Sequence, residues 1–288
     1  MRIFLISVLI LIFAAKLFSQ QISDGVTLPD TKEYLLKSEL NHVTYKLSIA
    51  VPEHYNDSLN KTYPVVFFLD GNIWMPLAYS VYRTINKTDQ VSPVILVGIG
   101  YEVETFEYDI KQRTYDYTPT QNSEADSVMS FRYKTSITSG GGYQFLQVLE
   151  QEIVPFVDSS YRTSGNRTIA GHSLGGLFAT YVLLEKPHLF SNFIIASPAV
   201  WWDDDILLLQ LKERKNMVMP DGKIILGIGK SETKRMTVAA ESLDKLLRKK
   251  VRKKNDFRFE EYKDCEHFTV IPVLLEKSFL ILFPGGAD

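Results

Sequence analysis

The segment IAGHSLGGLFA, from Ile169 to Ala179, holds a serine between two glycines, as Gly171-His172-Ser173-Leu174-Gly175. G-x-S-x-G is the spacing of a sharp strand-to-helix turn that presents a serine hydroxyl at the end of a sheet. Glycine two positions before and after the serine removes side chains that would collide as the chain reverses. The pentapeptide alone does not separate a nucleophile from a polar turn, so its partners must decide. A serine hydroxyl attacks a carbonyl only when a base takes its proton. Five histidines are available. His42 lies in an early strand and His54 in the loop after it, while His172 adjoins Ser173 with its side chain on the other side of the turn. His188, in EKPHLF, follows a helix at a turn. His267, in DCEHFTV, comes after the last strand and before the final helix, where the chain order nucleophile, acid, base puts the base.

That order leaves the acid between Ser173 and His267. Glu232, in LGIGKSETKRM, sits on the loop after the strand GKIILGIG, one strand before the one that leads to His267. The run Asp203-Asp204-Asp205 competes, although acids there also suit the N-terminus of the helix DDDILLLQLKE. Asp264 and Glu266 are so near His267 that the loop would have to fold back on itself. A tetrahedral intermediate further needs two N–H donors, one after the nucleophile and one from the turn after a neighbouring strand. Leu174 supplies the first. VVFFLDGN ends its strand in Asp70-Gly71-Asn72, so Asn72, with Gly71 beside it, is the candidate for the second. Cys265 is two residues from His267 but has no comparable turn around it, and reads as an ordinary thiol. No His or Cys cluster has metal-ligand spacing, and GIGKSE lacks a full dinucleotide or phosphate-loop pattern, so neither metal nor cofactor is expected.

The elements needed to position these residues are legible in the pattern. YPVVFFLD and PVILVGIG are continuous apolar runs, as in parallel strands covered on both faces, and WMPLAYSVYRTI between them can form a crossover helix. HVTYKLSIAVP precedes them as a partly alternating strand. The rhythm then continues as helix GYQFLQVLEQEIVPFV, strand RTIAGH, helix LGGLFATYVLLE, strand NFIIAS, helix DDDILLLQLKE, strand GKIILGIG, a helix from about Thr233 to Lys250, and strand DFRFEEY. Strands alternating with helices predict one doubly wound α/β domain over 21–288 with a mostly parallel sheet and flanking helices. Residues 101–142 break the rhythm and read as a loop-rich, cap-like insertion, of the kind that forms a lid or lines a site.

Composition excludes several classes. The chain has 288 residues, 45% hydrophobic and 23% charged, with a net charge of -2, so it carries no basic footprint for nucleic acid. The basic run from Arg248 to Lys254 falls at a helix C-terminus, where cations complement the dipole. MRIFLISVLILIFAAKLFSQ, residues 1–20, reads as a signal peptide with an apolar run too short for a comfortable span. Export to the periplasm or beyond, without stable membrane insertion after cleavage, is the expectation. With a single cysteine the exported chain has no internal disulfide and must rest on its core.

Taken together, the segments VVFFLDGN, RTYDYTP (Arg113 to Pro119), GGGYQFLQVLEQEIVPFVDSSYRT, RTIAGHSLGGLFATYVLLEKPHLF, ASPAVWWDD, the glutamate of GKSE and EHF at His267 resemble the esterase D-like branch of the α/β hydrolases. The resemblance runs from about Tyr45 to Phe283 and is nearest in flavour to the trilactone-siderophore esterases. It implies an α/β-hydrolase fold and a serine esterase with Ser173, His267 and Glu232 as its triad, acting on a small-molecule or carbohydrate ester, such as a siderophore trilactone or a feruloyl or acetyl sugar. Trp201 and Trp202 are then candidates for a flat wall beside an acyl group or sugar ring, and Arg113 for an anionic substrate or a neighbouring acid. Acyl transfer by the same triad, or a non-catalytic siderophore- or glycan-binding protein, are the alternatives.

Overall fold

The computed structural model describes residues 27–103, 106–251 and 256–286. The segment read as a signal peptide lies outside them. Among the described residues no helix is long and apolar enough to cross a membrane. The strands are β1 (Thr31–Lys37), β2 (Thr44–Ala50), β3 (Tyr63–Phe68), β4 (Ile95–Tyr101), β5 (Thr163–His172), β6 (Asn192–Ala196), β7 (Ile224–Gly229) and β8 (Phe257–Tyr262). They form one sheet in the order β1-β2-β4-β3-β5-β6-β7-β8. From β4 to β8 every neighbouring pair is parallel, and β1 and β2 close one edge antiparallel. The sequence pattern did not point to β1, because an edge strand exposed along much of its length carries polar residues where an inner strand carries apolar ones.

The inner strands are apolar on both sides because both faces are covered. Val65, Phe67 and Leu69, with Ile169, Phe193, Ile195 and Leu226, pack into one cluster. Val66 and Phe68, with Ala170, Ile194 and Ile225, pack into the other. The second cluster is closed by α1 (Gly71–Asn86) and α9 (Val270–Leu282), through Met75, Tyr82, Leu274 and Phe279. The first is closed by α4 (Gly142–Val148), α5 (Val154–Ser160), α6 (Leu174–Glu185), α7 (Trp202–Glu213) and α8 (Lys234–Arg248). Each buried Phe, Leu or Ile contributes about 1.5–3 kcal/mol relative to exposure. The α4 to α5 stretch is one continuous helix widened by a π turn at Leu149–Ile153.

The strand order reverses direction around β3 and β5. From β3 the chain crosses by α1 to β4 on one side; from β5 it crosses by α6 to β6 on the other. The turns after these adjacent strands therefore diverge to opposite faces and leave a crevice at the carboxyl edge, the place where open α/β sheets hold ligands.

The insertion at 101–142 is more helical than its composition suggests, with α2 (Phe106–Tyr117) and α3 (Ser123–Tyr133). Its apolar residues are mixed with acids and hydroxyls and make no clean stripe, so helical periodicity was not legible. Tertiary contacts hold α2 instead. Asp116 is completely buried and accepts from Tyr45 Oη (3.0 Å), Tyr101 Oη (3.1 Å) and Gln112 Nε2 (2.9 Å), tying α2 to β2 and β4. Burial pushes the Asp116 carboxyl up to about 7, against the pull of those three hydrogen bonds. The folded chain thus keeps a proton that the unfolded chain releases near 3.8, and this group's contribution to stability falls as pH rises from there through about 7. Asp116→Asn, whose amide can be accommodated by reversal of Gln112, is expected to remove this part of the pH dependence. Differential scanning calorimetry of both proteins at pH 5 and pH 8 should show Tm falling less between the two for the variant.

Candidate active site

β5 ends at His172 and α6 begins at Leu174, so the whole reversal falls on Ser173, whose backbone stands at φ 59°, ψ −115°. A non-glycine residue there carries about 1–3 kcal/mol of strain, which surrounding contacts must hold. Ser173 N–H donates to Ala196 O (3.0 Å), and Ser173 O accepts from Leu177 N (2.9 Å) and Ala199 N (3.0 Å). The two glycines of the motif are not equivalent. A Cβ on Gly171 would lie 2.2 Å from Gly175 O, so the close approach of strand to helix excludes any side chain. One on Gly175 would meet Asp70 Oδ2 at 3.3 Å, tight but not forbidding.

Across the crevice, Asp70 caps the start of α1 with a left-handed backbone (φ 56°) and donates its N–H to Tyr117 Oη at 2.9 Å. The Asn72 side chain is fastened to the backbone of Tyr101 by two bonds, from Nδ2 to O (3.0 Å) and from Tyr101 N to Oδ1 (2.7 Å). The N–H groups of Gly71, Asn72 and Leu174 have no acceptor among the described residues, as befits the first turns of α1 and α6. They are free to receive an anionic oxygen.

Arg113, on α2, lies between these turns. Its Nε and Nη2 bond the two Asp70 carboxylate oxygens at 2.5 and 3.0 Å, and Nη2 is 3.4 Å from His172 O. Burial disfavours its charge, but the adjacent carboxylate more than restores it, and the guanidinium stays cationic. Of the two partners the sequence left open, an anionic substrate or a neighbouring acid, the structure supplies the acid.

The ends of β7 and β8 bring in the remaining candidates. His267 Nδ1 is 2.8 Å from Glu232 Oε2. The Glu232 side chain has no exposed surface, that of His267 is 31% exposed, so the ring can be reached and the carboxylate cannot. Glu232 Oε1 accepts from Gly229 N (3.0 Å) and from Ser197 Oγ. Burial alone would raise the Glu232 pKa, but the hydrogen bonds from His267, Ser197 and Gly229 outweigh it and hold the carboxyl below its ordinary value. Ser173 Oγ and His267 Nε2 have no hydrogen-bond partner among the described residues. The elbow and the His267 loop meet through His172, whose ring centroid lies 4.3 Å from that of His267.

Other candidates stand elsewhere. Asp203, Asp204 and Asp205 all have left-handed backbones (φ 49°, 52° and 63°) and give α7 no side-chain cap. Asp203 accepts from Asn122 Nδ2 at 3.1 Å; none of the three reaches His267. The expectation that this run caps α7 is thus corrected: short acids tolerate the left-handed region, and here they make a turn. Trp202 is 2% exposed, its Nε1 on Thr120 O (3.3 Å), so it belongs to the core and not to a substrate wall. Trp201 is half-buried; its Nε1 meets Met236 Sδ at 2.9 Å and the Arg235 guanidinium covers its ring at 3.9 Å. His54 pairs with Asp57 and His188 is exposed, both apart from the crevice. Among the described residues no group of His, Cys, Asp and Glu could hold a metal. Sequence reasoning missed Ser197 and Asp70 as supports, although both stand in the quoted segments ASPAVWWDD and VVFFLDGN. An opening of about 490 Å³ beside His267 is lined by Thr233, Met236 and Phe268.

Residues 38–269 match the family model described as "Putative esterase". The chain belongs to this esterase family. Ferri-bacillibactin esterase BesA of Bacillus subtilis (strain 168) is 29% identical to this esterase over 276 residues, covering 92% of this chain and 93% of BesA. Among solved structures, the BES protein from Bacillus cereus superposes with a TM-score of 0.75 at 26% identity, over 92% of this chain and 99% of that one. An IroE-like serine hydrolase from Shewanella oneidensis gives 0.72 at 28% identity, over 88% and 80%. This esterase is a carboxylic-ester hydrolase on an α/β-hydrolase fold.

The asymmetry of the two motif glycines can be measured directly. Gly171→Ala should cost at least about 2 kcal/mol in urea unfolding, since its methyl group has only backbone to displace. Gly175→Ala should cost clearly less.

Proposed function

We propose that this esterase cleaves its substrate through an acyl-enzyme on Ser173, with His267 as general base and then general acid, and Glu232 as the group that orients and charges-balances His267. The bond from His267 Nδ1 to the fully enclosed Glu232 carboxylate, on a loop beside the elbow, is the observation that carries this reading. With Nδ1 committed to Glu232, the His267 Nε2 lone pair is left to take the Ser173 proton. Ser173 Oγ attacks the ester carbonyl, the developing oxyanion is met by the N–H groups of Leu174 and Asn72, with Gly71 adjacent, and His267 returns the proton to the leaving alcohol. Water then repeats the cycle on the acyl-enzyme. Arg113 commits Nε and Nη2 to Asp70, so the two form a near-neutral pair that holds the turn after β3 beside the elbow.

The substrate we favour is an ester of the siderophore class, a trilactone above all, since the relative BesA is named for ferri-bacillibactin. Trp201, with the Arg235 guanidinium over its ring and its Nε1 on Met236, a residue that lines the opening beside His267, offers an aromatic and cationic surface to an aromatic acyl arm. With its leader at 1–20, the esterase works after export.

Purified mature protein should hydrolyse short p-nitrophenyl esters and label with a fluorophosphonate, and Ser173→Ala should do neither. Absence of both activities in the wild type would remove the mechanism. Glu232→Gln is expected to lower kcat by at least about a hundredfold with KM little changed. A panel of a catecholate trilactone, a feruloyl sugar and an acetylated xylan, assayed with Trp201→Ala alongside, should show the trilactone preferred and its KM raised in the variant.

A further inference from the structure

Among the described residues the carbonyl of His267 has no backbone partner. In a regular start to α9 it would accept the N–H of Ile271, but that N–H bonds Phe268 O instead, at 3.4 Å. His172 Nε2 fills the gap, 2.7 Å from His267 O. Since a carbonyl only accepts, the His172 ring must carry its proton on Nε2. The ring is 3% exposed and closed in by Trp74 (5.5 Å), Phe268 (5.6 Å) and His267 (4.3 Å between centroids). Its own carbonyl, on the other side of the residue, faces Arg113.

We infer that His172 is a positioning residue: as a neutral Nε2–H imidazole it ties the residue before the nucleophile to the backbone of the residue that acts as base. This rests on the acyl-enzyme reading given above. Glu232 fixes the direction of the His267 ring through Nδ1, but a side-chain bond leaves the loop free to rise or sink relative to the sheet. The His172 bond sets that height, because it runs from the last residue of β5 to the His267 main chain. The distance between Ser173 Oγ and His267 Nε2 is then determined by one residue, at the position between glycine and serine in the motif. Burial and the two nearby cations, Arg113 and His267 when charged, keep His172 neutral, so the donor tautomer persists while His267 cycles between its two forms.

His172→Phe keeps the ring's bulk and removes the donor, whereas His172→Gln can place an amide N–H near the Nε2 position. With p-nitrophenyl acetate, His172→Phe is expected to lower kcat by about 10- to 100-fold at a KM within about twofold of wild type, the scale of a catalytic group misplaced by about an ångström. Fluorophosphonate labelling of Ser173 should slow in parallel, and His172→Gln should recover most of the rate. Wild-type kcat in His172→Phe, or no recovery in His172→Gln, would overturn the assignment. Nitrogen-15 NMR of the wild-type protein decides the same point without a variant that must fold: a neutral His172 protonated on Nε2 supports it, and protonation on Nδ1 or on both nitrogens refutes it. If the wild type leaves esters intact, the catalytic reading fails, while the NMR result still decides whether the brace exists.

Discussion

Everything near the crevice depends on a single strained residue, Ser173, held with positive φ between the end of β5 and the start of α6. The strain lets strand and helix meet without an intervening loop, so that the serine stands at the carboxyl edge with helix N–H groups beside it. Its cost is offset locally: three backbone bonds to Ala196, Leu177 and Ala199 hold the reversal, and Gly171 admits the carbonyl of Gly175 where a side chain would not fit. A turn made this way cannot drift, and the other site residues are arranged around it.

Three different strands reach that point. β3 brings Asp70, Gly71 and Asn72 from the opposite face, because the sheet changes direction between β3 and β5. β7 and β8 bring Glu232 and His267. Arg113 arrives from outside the sheet, on a helix anchored by the buried Asp116, and links Asp70 to the carbonyl of His172. Polar groups therefore join elements that the hydrophobic clusters merely bring near. Such bonds carry geometry more than stability, since their desolvation cancels much of their gain, whereas the two apolar clusters on either face of the sheet hold the fold.

Much of this was legible in the sequence, and for identifiable reasons. Continuous apolar runs such as VVFFLD and the alternating helices mark a parallel sheet buried on both faces, because nothing else makes such runs stable in water. The elbow is equally plain, since few spacings accommodate so tight a reversal. Other features were hidden. β1 carries an edge strand's polar composition, α2 and α3 lack an apolar stripe, and the aspartates at 203–205 look like a helix cap until their left-handed backbones are seen. The tryptophan pair reads as one unit, yet adjacent residues point in different directions: Trp202 is buried in the core and Trp201 is only half-buried.

The order and types of the inner strands and the helices that cross between them, the position of the elbow serine and the identities of its possible partners were determined by sequence alone, because local patterning and turn chemistry act over a few residues. Which carboxylate meets His267, whether Arg113 faces an acid or open solvent, and how His172 is used were decided only by the tertiary structure. These are contacts between residues tens of positions apart, such as His267 with Glu232 or His172. Their partners are chosen by the crossing of strands and the depth of burial, which no short stretch of sequence contains.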